Sequence, residues 1–465
     1  MYSVIYFDTE DYITPEREGI DDIPRWLAEI LTEEGVPGCF HVIGEKARSL
    51  ERRGRQDVIR AISQHDVSSH FDTGSMHPTT AEAVSGLGWE EGVAEAMRRE
   101  GPGFRTIERI FGKCSALTRH GGTYAPQIVC AAGNFRKPYF YSPVSLPGHN
   151  ITWFCGALNF TGLCEVLDDV FWSEEGFERR FASYRAKLEG MIGRTEYLAA
   201  IAGHPQRIRS LEFVDSLNYG GGRNVPAQDW RAPALRPMEC LAEARQNFRR
   251  VVRYLRDLPG LEMTTVGALA ERFSFQRERV SSEELRAVCQ RIVDEGTVVF
   301  DDGFSAGELL LALAESVLSD AKTGALPEEV PRRSVLGPIE EPIETPQAHT
   351  LHRDEIVQGC AEVLRVSAES GHLPGNLVTS GAQVGLGSWY SLLATTYLAC
   401  GEKIPNRVPV VAFPPYPTIA DEVASEALLY RDWDIHGPDL DFSEILHHTR
   451  LQTWTVKPAC ECPGL

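Results

Sequence analysis

Four short apolar runs in this chain end in side chains capable of chemistry. VIYFDTE, residues 4–10, closes on Asp8 and Glu10; HDVSSH closes on His70; SALTRHGG presents Arg119; YLAAIAGHP presents His204. Such a set suits amide hydrolysis. At neutral pH that reaction needs a nucleophile stronger than water, and a divalent metal supplies one by lowering the pKa of bound water to about 7. Histidine nitrogen and carboxylate oxygen are the usual ligands, three from protein with one position open. A carboxylate outside the ligand set can take the water's proton, and an arginine beside it keeps it ionised. A separate histidine can protonate the departing amine.

The elements that must position these groups are strands. Val4, Ile5, Tyr6 and Phe7 read as a buried strand from which Asp8 and Glu10 emerge. In barrels of parallel strands, the C-terminal strand ends carry the chemistry. LEMTTVGALAERF, ending at Phe273, reads as the last strand and helix of such a barrel.

Together these motifs resemble those of the polysaccharide deacetylase family, the NodB-like carbohydrate esterases of family 4, which hydrolyse acetamido groups on amino sugars with a metal-bound water. FDTED, residues 7–11, stands where the family has an aspartate-rich first motif, and HDVSSH followed by MHP is similar to its two-histidine motif. RHGGTYAP resembles its arginine-glycine-tyrosine motif and AGHP its late histidine. The resemblance covers residues 1–275 and implies an α/β fold, a distorted (β/α) barrel with the site at the strand C-termini. It also implies Asp8 as base with Arg119 as its partner, Glu10, His70 and His77 as metal ligands, and His204 as acid. The implied metal is zinc, with cobalt, nickel or iron as alternatives, and the implied partner is an acetylated amino-sugar glycan or its precursor.

Two departures from the family pattern bear on the ligands. Thr9 separates Asp8 from the next acids, so either Glu10 or Asp11 can be the ligand; Glu10 matches members with Asp-x-Asp or Asp-x-Glu spacing. His70 and His77 are seven positions apart, where the family commonly has four. Seven helical residues rise about 10.5 Å, whereas two nitrogens each about 2.0 Å from one zinc cannot be much over about 4 Å apart. FDTGSM must therefore loop out, which Asp72 and Gly74 favour as turn formers. Asp66 and His70, four apart, are the fallback pair.

Other residues have plainer readings beside functional ones. His65 and His120 flank motif residues and read as loop or supporting groups. Gly121, Gly122 and Tyr124 either place a backbone N–H over a developing oxyanion or form a simple turn. NYGGGRN, residues 218–224, reads as a flexible lip, with Asp215 just before it as support for His204. Trp153, Trp172 and Trp230 can stack on sugar rings or pack.

Composition narrows the function classes. A length of 465 residues calls for more than one compact domain. The formal charge of −20 argues against nucleic acid or anionic membrane as partner. Eleven scattered cysteines, an odd number, read as free thiols in a reducing compartment, and the C-x-C at Cys460 and Cys462 as a tail with stray thiols. A strand that starts by residue 4 leaves no room for a signal peptide, and no apolar run reaches the roughly 20 residues of a membrane span, so the expected location is cytoplasmic.

Beyond the barrel, residues 276–322 read as a first helical repeat, 323–349 as a Pro/Glu-rich linker, and 350–465 as a second repeat with a C-terminal extension. The expectation is a smaller, mostly helical C-terminal domain. EELRAVCQRIVDEG matches DEIVQGCAEVLRVSAESG, and FSAGELLLALAESV matches VGLGSWYSLLATTY, in helical apolar spacing. The second copy resembles the pseudomurein-binding repeat through Gly371, Leu373, Pro374, Val378, Gly381, Val384 and Trp389. Oligomeric state stays open. Three functions compete: a metal-dependent carbohydrate deacetylase, a non-catalytic glycan-binding or scaffold protein on the same barrel, and a hydrolase of another C–N bond.

Overall fold

The computed structural model describes residues 1–141, 143–161, 163–168, 176–193, 199–301, 303–345, 349–379, 382–400, 406–423 and 435–463. The chain forms two compact units: Met1–Ile151 with Ala157–Phe273 and Glu426–Phe442, and Thr152–Gly156 with Ser274–Ser425 and Ser443–Leu465. The first unit thus includes a segment from the stretch expected as C-terminal extension.

The first unit is α/β and built on parallel strands. In chain order these are β1 (Tyr2–Thr9), β2 (Cys39–Val42), β3 (Asp66–Ser69), β4 (Leu117–Thr118), β5 (Tyr139–Phe140), β6 (Ala157–Phe160), β7 (Leu163–Val166) and β8 (Ala199–Gly203). They lie in the order β6-β5-β4-β3-β2-β1-β8-β7, and β9 (Glu262–Thr264) also pairs with β1. That is the cyclic order of a (β/α) barrel with a seam between β6 and β7. Only two residues link β6 to β7, and a parallel pair needs a crossover of about a dozen or more, so this link cannot close the ring. Val4, Ile5 and Phe7 are wholly buried in β1, as expected for a parallel strand covered on both faces.

Helices cover the sheet, among them α1 (Asp22–Glu34), α2 (Gly44–Arg52), α3 (Gln56–Ile62), α4 (Thr80–Val84) and α5 (Trp89–Phe111). Among the described residues no helix is long and apolar enough to cross a membrane.

The second unit is mostly helical and internally repeated. One copy runs strand Arg279–Ser281, helix Ser282–Glu295, helix Ala306–Thr323 and strand Glu329–Pro331. The other runs strand His349–His352, helix Arg353–Ser370, a hairpin, helix Leu386–Ala399 and strand Arg407–Val410. In each copy the two flanking strands pair antiparallel. Serine–glutamate capping boxes start both helices of the first copy. Leu373, Val384 and Trp389 belong to the unit's core, whereas Val378 is 83% exposed.

The loop after β3 sets the position of His70. It does swing out: the carbonyls of Phe71 and Asp72 accept from Gly44 N and Glu45 N at the start of α2, using donors that a helix N-terminus leaves open. Gly103 on α5 permits this approach, since a Cβ there would stand 3.0 Å from Asp72 Cα. Buried Glu100, also on α5, accepts from Asp72 N at 2.8 Å and from the Thr80 hydroxyl. Burial pushes its carboxyl up from 4.5 to about 7 despite those bonds. Between these values the folded state binds the extra proton, so stability falls as pH rises. Glu100→Gln is therefore expected to gain stability relative to wild type on going from pH 4.5 to 7, by no more than about 3 kcal/mol. Denaturant melts across that range check this; parallel stability curves would refute it.

Candidate active site

The strand ends of the first unit converge on two carboxylates. Parallel register places Asp8 beside His41 of β2, and His41 beside Ser68 of β3. His70 follows β3, Arg119 and His120 follow β4, Asp168 follows β7, and His204 follows β8.

Asp8 and Glu10 lie among four imidazoles. His41 Nδ1 is 3.0 Å from Asp8 Oδ1, while His70 Nε2 and His204 Nε2 are 3.8 and 3.5 Å from Asp8 Oδ2. Glu10 Oε2 is 3.1 Å from His120 Nε2, and Glu10 Oε1 is 3.9 Å from His204 Nε2. Outer groups hold the rings: Thr118 Oγ1 at 2.9 Å from His70 Nδ1, Asp168 Oδ2 at 2.8 Å from His204 Nδ1, and Asp215 Oδ2 at 3.5 Å from His120 Nε2. Asp215 Oδ2 in turn accepts from Ser75 Oγ at 2.6 Å. Three trios each offer ligand atoms within 4.8 Å of one another: Glu10, His70 and His120; Asp8, Glu10 and His204; Asp8, His41 and His70. The site thus has groups of the type and closeness to hold a cation.

Burial and charge pull in opposite directions here. Burial raises the Asp8 carboxyl, but His70, His41 and His204 outweigh it and hold Asp8 well below the usual carboxylate range. Burial pushes His70 well down, and the Asp8 carboxylate opposes it. Against burial, Asp168 first, then Asp8 and Glu10, push His204 up to about 10. Asp215 and Glu10 likewise push His120 up to about 10. Burial moves Glu10 upward, opposed by His120.

The structure brings Asp8, Glu10, His70 and His204 together but leaves His77 out. Both His77 nitrogens are engaged elsewhere, Nδ1 by Glu82 at 2.8 Å and Nε2 by the Tyr219 carbonyl at 2.9 Å. The His77 ring cannot also face His70. His120, read from sequence as a flanking group, occupies the space instead. Position 74, four after His70, is a glycine, and a Cβ there would stand 3.2 Å from His120 Nε2.

The remaining candidates separate in the same way. Among the described residues, the groups within ion-pair distance of Asp8 are His41, His70 and His204; the Arg119 guanidinium lies 5.6 Å from the centre of the Tyr141 ring. Asp215 supports His120, and the His204 support expected of it comes from Asp168. Asp11 is spent on a local turn, accepting from Ile13 N, Thr14 N and Thr14 Oγ1. Asp66 sits at the opposite, N-terminal end of β3, accepting from Gly267 N and Ser115 Oγ. His65 bonds to the Ala28 carbonyl of α1. Tyr124 is wholly buried, and the Gly122 carbonyl faces His436 Nε2 at 3.4 Å. Trp230 packs edge-on against Tyr12, Trp153 belongs to the second unit, and Trp172 lies outside the described residues.

Sequence reasoning missed His41, Asp168, Glu82 and His436. A signal existed for two of them: His41 interrupts the apolar run CFHV, and Asp168 follows the strand Leu163–Val166.

No protein-family model matches the chain. No curated protein matches it either. Solved structures similar to it include polysaccharide and peptidoglycan deacetylases and family 4 carbohydrate esterases. A provisionally named polysaccharide deacetylase from Mycobacterium smegmatis is 15% identical, covering 58% of this chain and 88% of its own, with a TM-score of 0.35. Peptidoglycan deacetylase PdaC from Bacillus subtilis is 11% identical, covering 58% and 90%, with a TM-score of 0.30. BA3943 from Bacillus anthracis, a family 4 pseudoenzyme, is 14% identical, covering 44% and 54%, with a TM-score of 0.28. The site is therefore read from its own side chains.

Beside the carboxylate pair, a second cluster pins residues 435–437 to the lip at 219–224. Glu82 Oε1 is 2.8 Å from His436 Nδ1 and 2.9 Å from His77 Nδ1, Gly222 N donates to Ile435 O, and Asn224 donates to His77 O. Each His77 nitrogen faces an acceptor, so the ring needs both protons. Burial lowers His77, but Glu82 and the Tyr219 carbonyl raise it above its ordinary 6.5. A histidine so raised contributes stability that is complete below 6.5 and is lost as pH rises through its folded value. Raising pH above 6.5 is expected to speed amide exchange in residues 435–442 of the wild type, and less so in Glu82→Gln. Equal pH slopes in both proteins would contradict the assignment.

Proposed function

We propose that the first unit is a metal-dependent hydrolase that removes N-acetyl groups from an amino-sugar glycan or glycan precursor. One observation carries this reading: Asp8, Glu10, His70, His120 and His204, from four separate strand ends, converge within ligand and proton-transfer distance. Glu10, His70 and His120 would hold the cation. The donor set fits, since it joins a carboxylate oxygen to two imidazoles, and Thr118 occupies His70 Nδ1 so that Nε2 is the ligand atom. A divalent cation held there supplies Lewis-acid activation of water and of the amide carbonyl.

The other residues divide the proton work. Asp8, held ionised, is the base. His204, oriented by Asp168 and carrying both protons, donates one to the leaving amine nitrogen. The resemblance to polysaccharide deacetylases points to acetamido sugars as substrate. In this reading the second unit is an accessory, because Leu373, Val384 and Trp389 are spent on its own core.

Asp8→Asn is expected to keep the metal and lose roughly 10²- to 10⁴-fold in rate, as for loss of a general base. His70→Ala and His120→Ala should lose the metal, and His77→Ala should keep it. Metal analysis and acetate release from a panel of acetylated amino sugars check these outcomes. Wild-type protein holding less than about a tenth of an equivalent of zinc, cobalt, nickel or iron after metal-replete purification would overturn the hydrolase in favour of a glycan-binding protein. Turnover confined to cyclic amides or ureides would reassign the scissile C–N bond.

A further inference from the structure

His41 has no counterpart among the groups that the sequence marked for chemistry, yet among the described histidines around Asp8 it stands nearest. Its ring is 1% exposed, lies 4.6 Å from Tyr6 in a stack tilted by 21°, and meets Phe140 edge-on at 5.2 Å. Two aromatic neighbours thus fix its plane. Nδ1 points at Asp8 Oδ1, 3.0 Å away, whereas Nε2 is buried with no hydrogen-bond partner among the described residues. A proton on Nε2 would be a buried donor without an acceptor, and a proton on Nδ1 has a carboxylate to meet. The hydrogen-bond accounting therefore puts the proton on Nδ1.

The consequence falls on the two oxygens of Asp8. Oδ1 is taken by His41, and Oδ2 is the oxygen facing His70 Nε2 and His204 Nε2. We propose that His41 is the positioning residue of the base, holding Oδ1 so that Oδ2 alone is presented to the reacting atoms. The proposal rests on the hydrolase reading of Asp8. A carboxylate free to rotate would present either oxygen, and a displacement of about 1 Å can cost on the order of 100-fold in rate.

Two substitutions separate this role from a structural one. His41→Leu fills the space without a donor, and His41→Asn loses the stack but puts an amide N–H near the Nδ1 position. Expected for His41→Leu is a fall in kcat of about 10- to 100-fold, with KM and metal content unchanged. His41→Asn should recover most of that loss, although a merely structural role would make it the worse of the two. In an Asp8→Asn background, His41→Leu should cost less than about threefold, since the group it positions is gone. Nitrogen-15 spectra of histidine-labelled protein should show His41 protonated at Nδ1.

The proposal is overturned by full kcat in His41→Leu, by loss of metal from that variant, which would make His41 a ligand, or by a proton on Nε2. An active wild type with such a variant overturns the positioning role alone. A wild type that releases no acetate overturns the hydrolase reading and this role with it.

Discussion

Two carboxylates buried at the end of one strand constrain everything around them. Neither Asp8 nor Glu10 can give up water without replacement partners, because an unpaired buried charge is far more costly than one surrounded by donors. Four imidazoles supply that replacement, and each imidazole is in turn held by a hydroxyl, a carboxylate or an aromatic face. The polar interior is thus a linked cluster of carboxylates and imidazoles at the C-terminal strand ends. Such a set stays rigid because removing any member strands another.

The scaffold shows where this demand is met. The loop after β3 is bound at both ends, to the start of α2 and to Glu100 of α5, and Gly103 exists at the one place where α5 must let it pass. Gly74 leaves room for the ring of His120 to reach Glu10. Asp168 and Asp215 are the outer acids that stand against the rings of His204 and His120. One carboxylate holds two histidines again at Glu82, where the lip of the site meets residues 435–437.

The strand ends carrying Asp8, Glu10, His70 and His204 were legible because local pattern marks them. In β1 and β8 an apolar run ends in a polar group, β3 before His70 is itself mostly polar, and the stopping points of parallel strands gather on one edge. His77 misled because sequence spacing stands in for distance only along a regular element. His120 was passed over because Arg119 beside it had the louder signal, and which of two adjacent side chains turns inward depends on the neighbouring strand. His41 was hidden inside the run CFHV, where a single histidine reads as tolerated core.

The amino-acid sequence by itself marked the strands before Asp8 and His204 and the types of side chain delivered to their ends, because an apolar run is a local quantity, and its motifs implied the class of fold by resemblance. It also contained the repeat of two helices per copy in the second unit. Only the tertiary structure decided which histidines face the carboxylates, that Asp168 and not Asp215 orients His204, and that His41 faces Asp8. These are matters of parallel register and loop path between residues tens to hundreds of positions apart, and a buried charge selects its partners by distance in space.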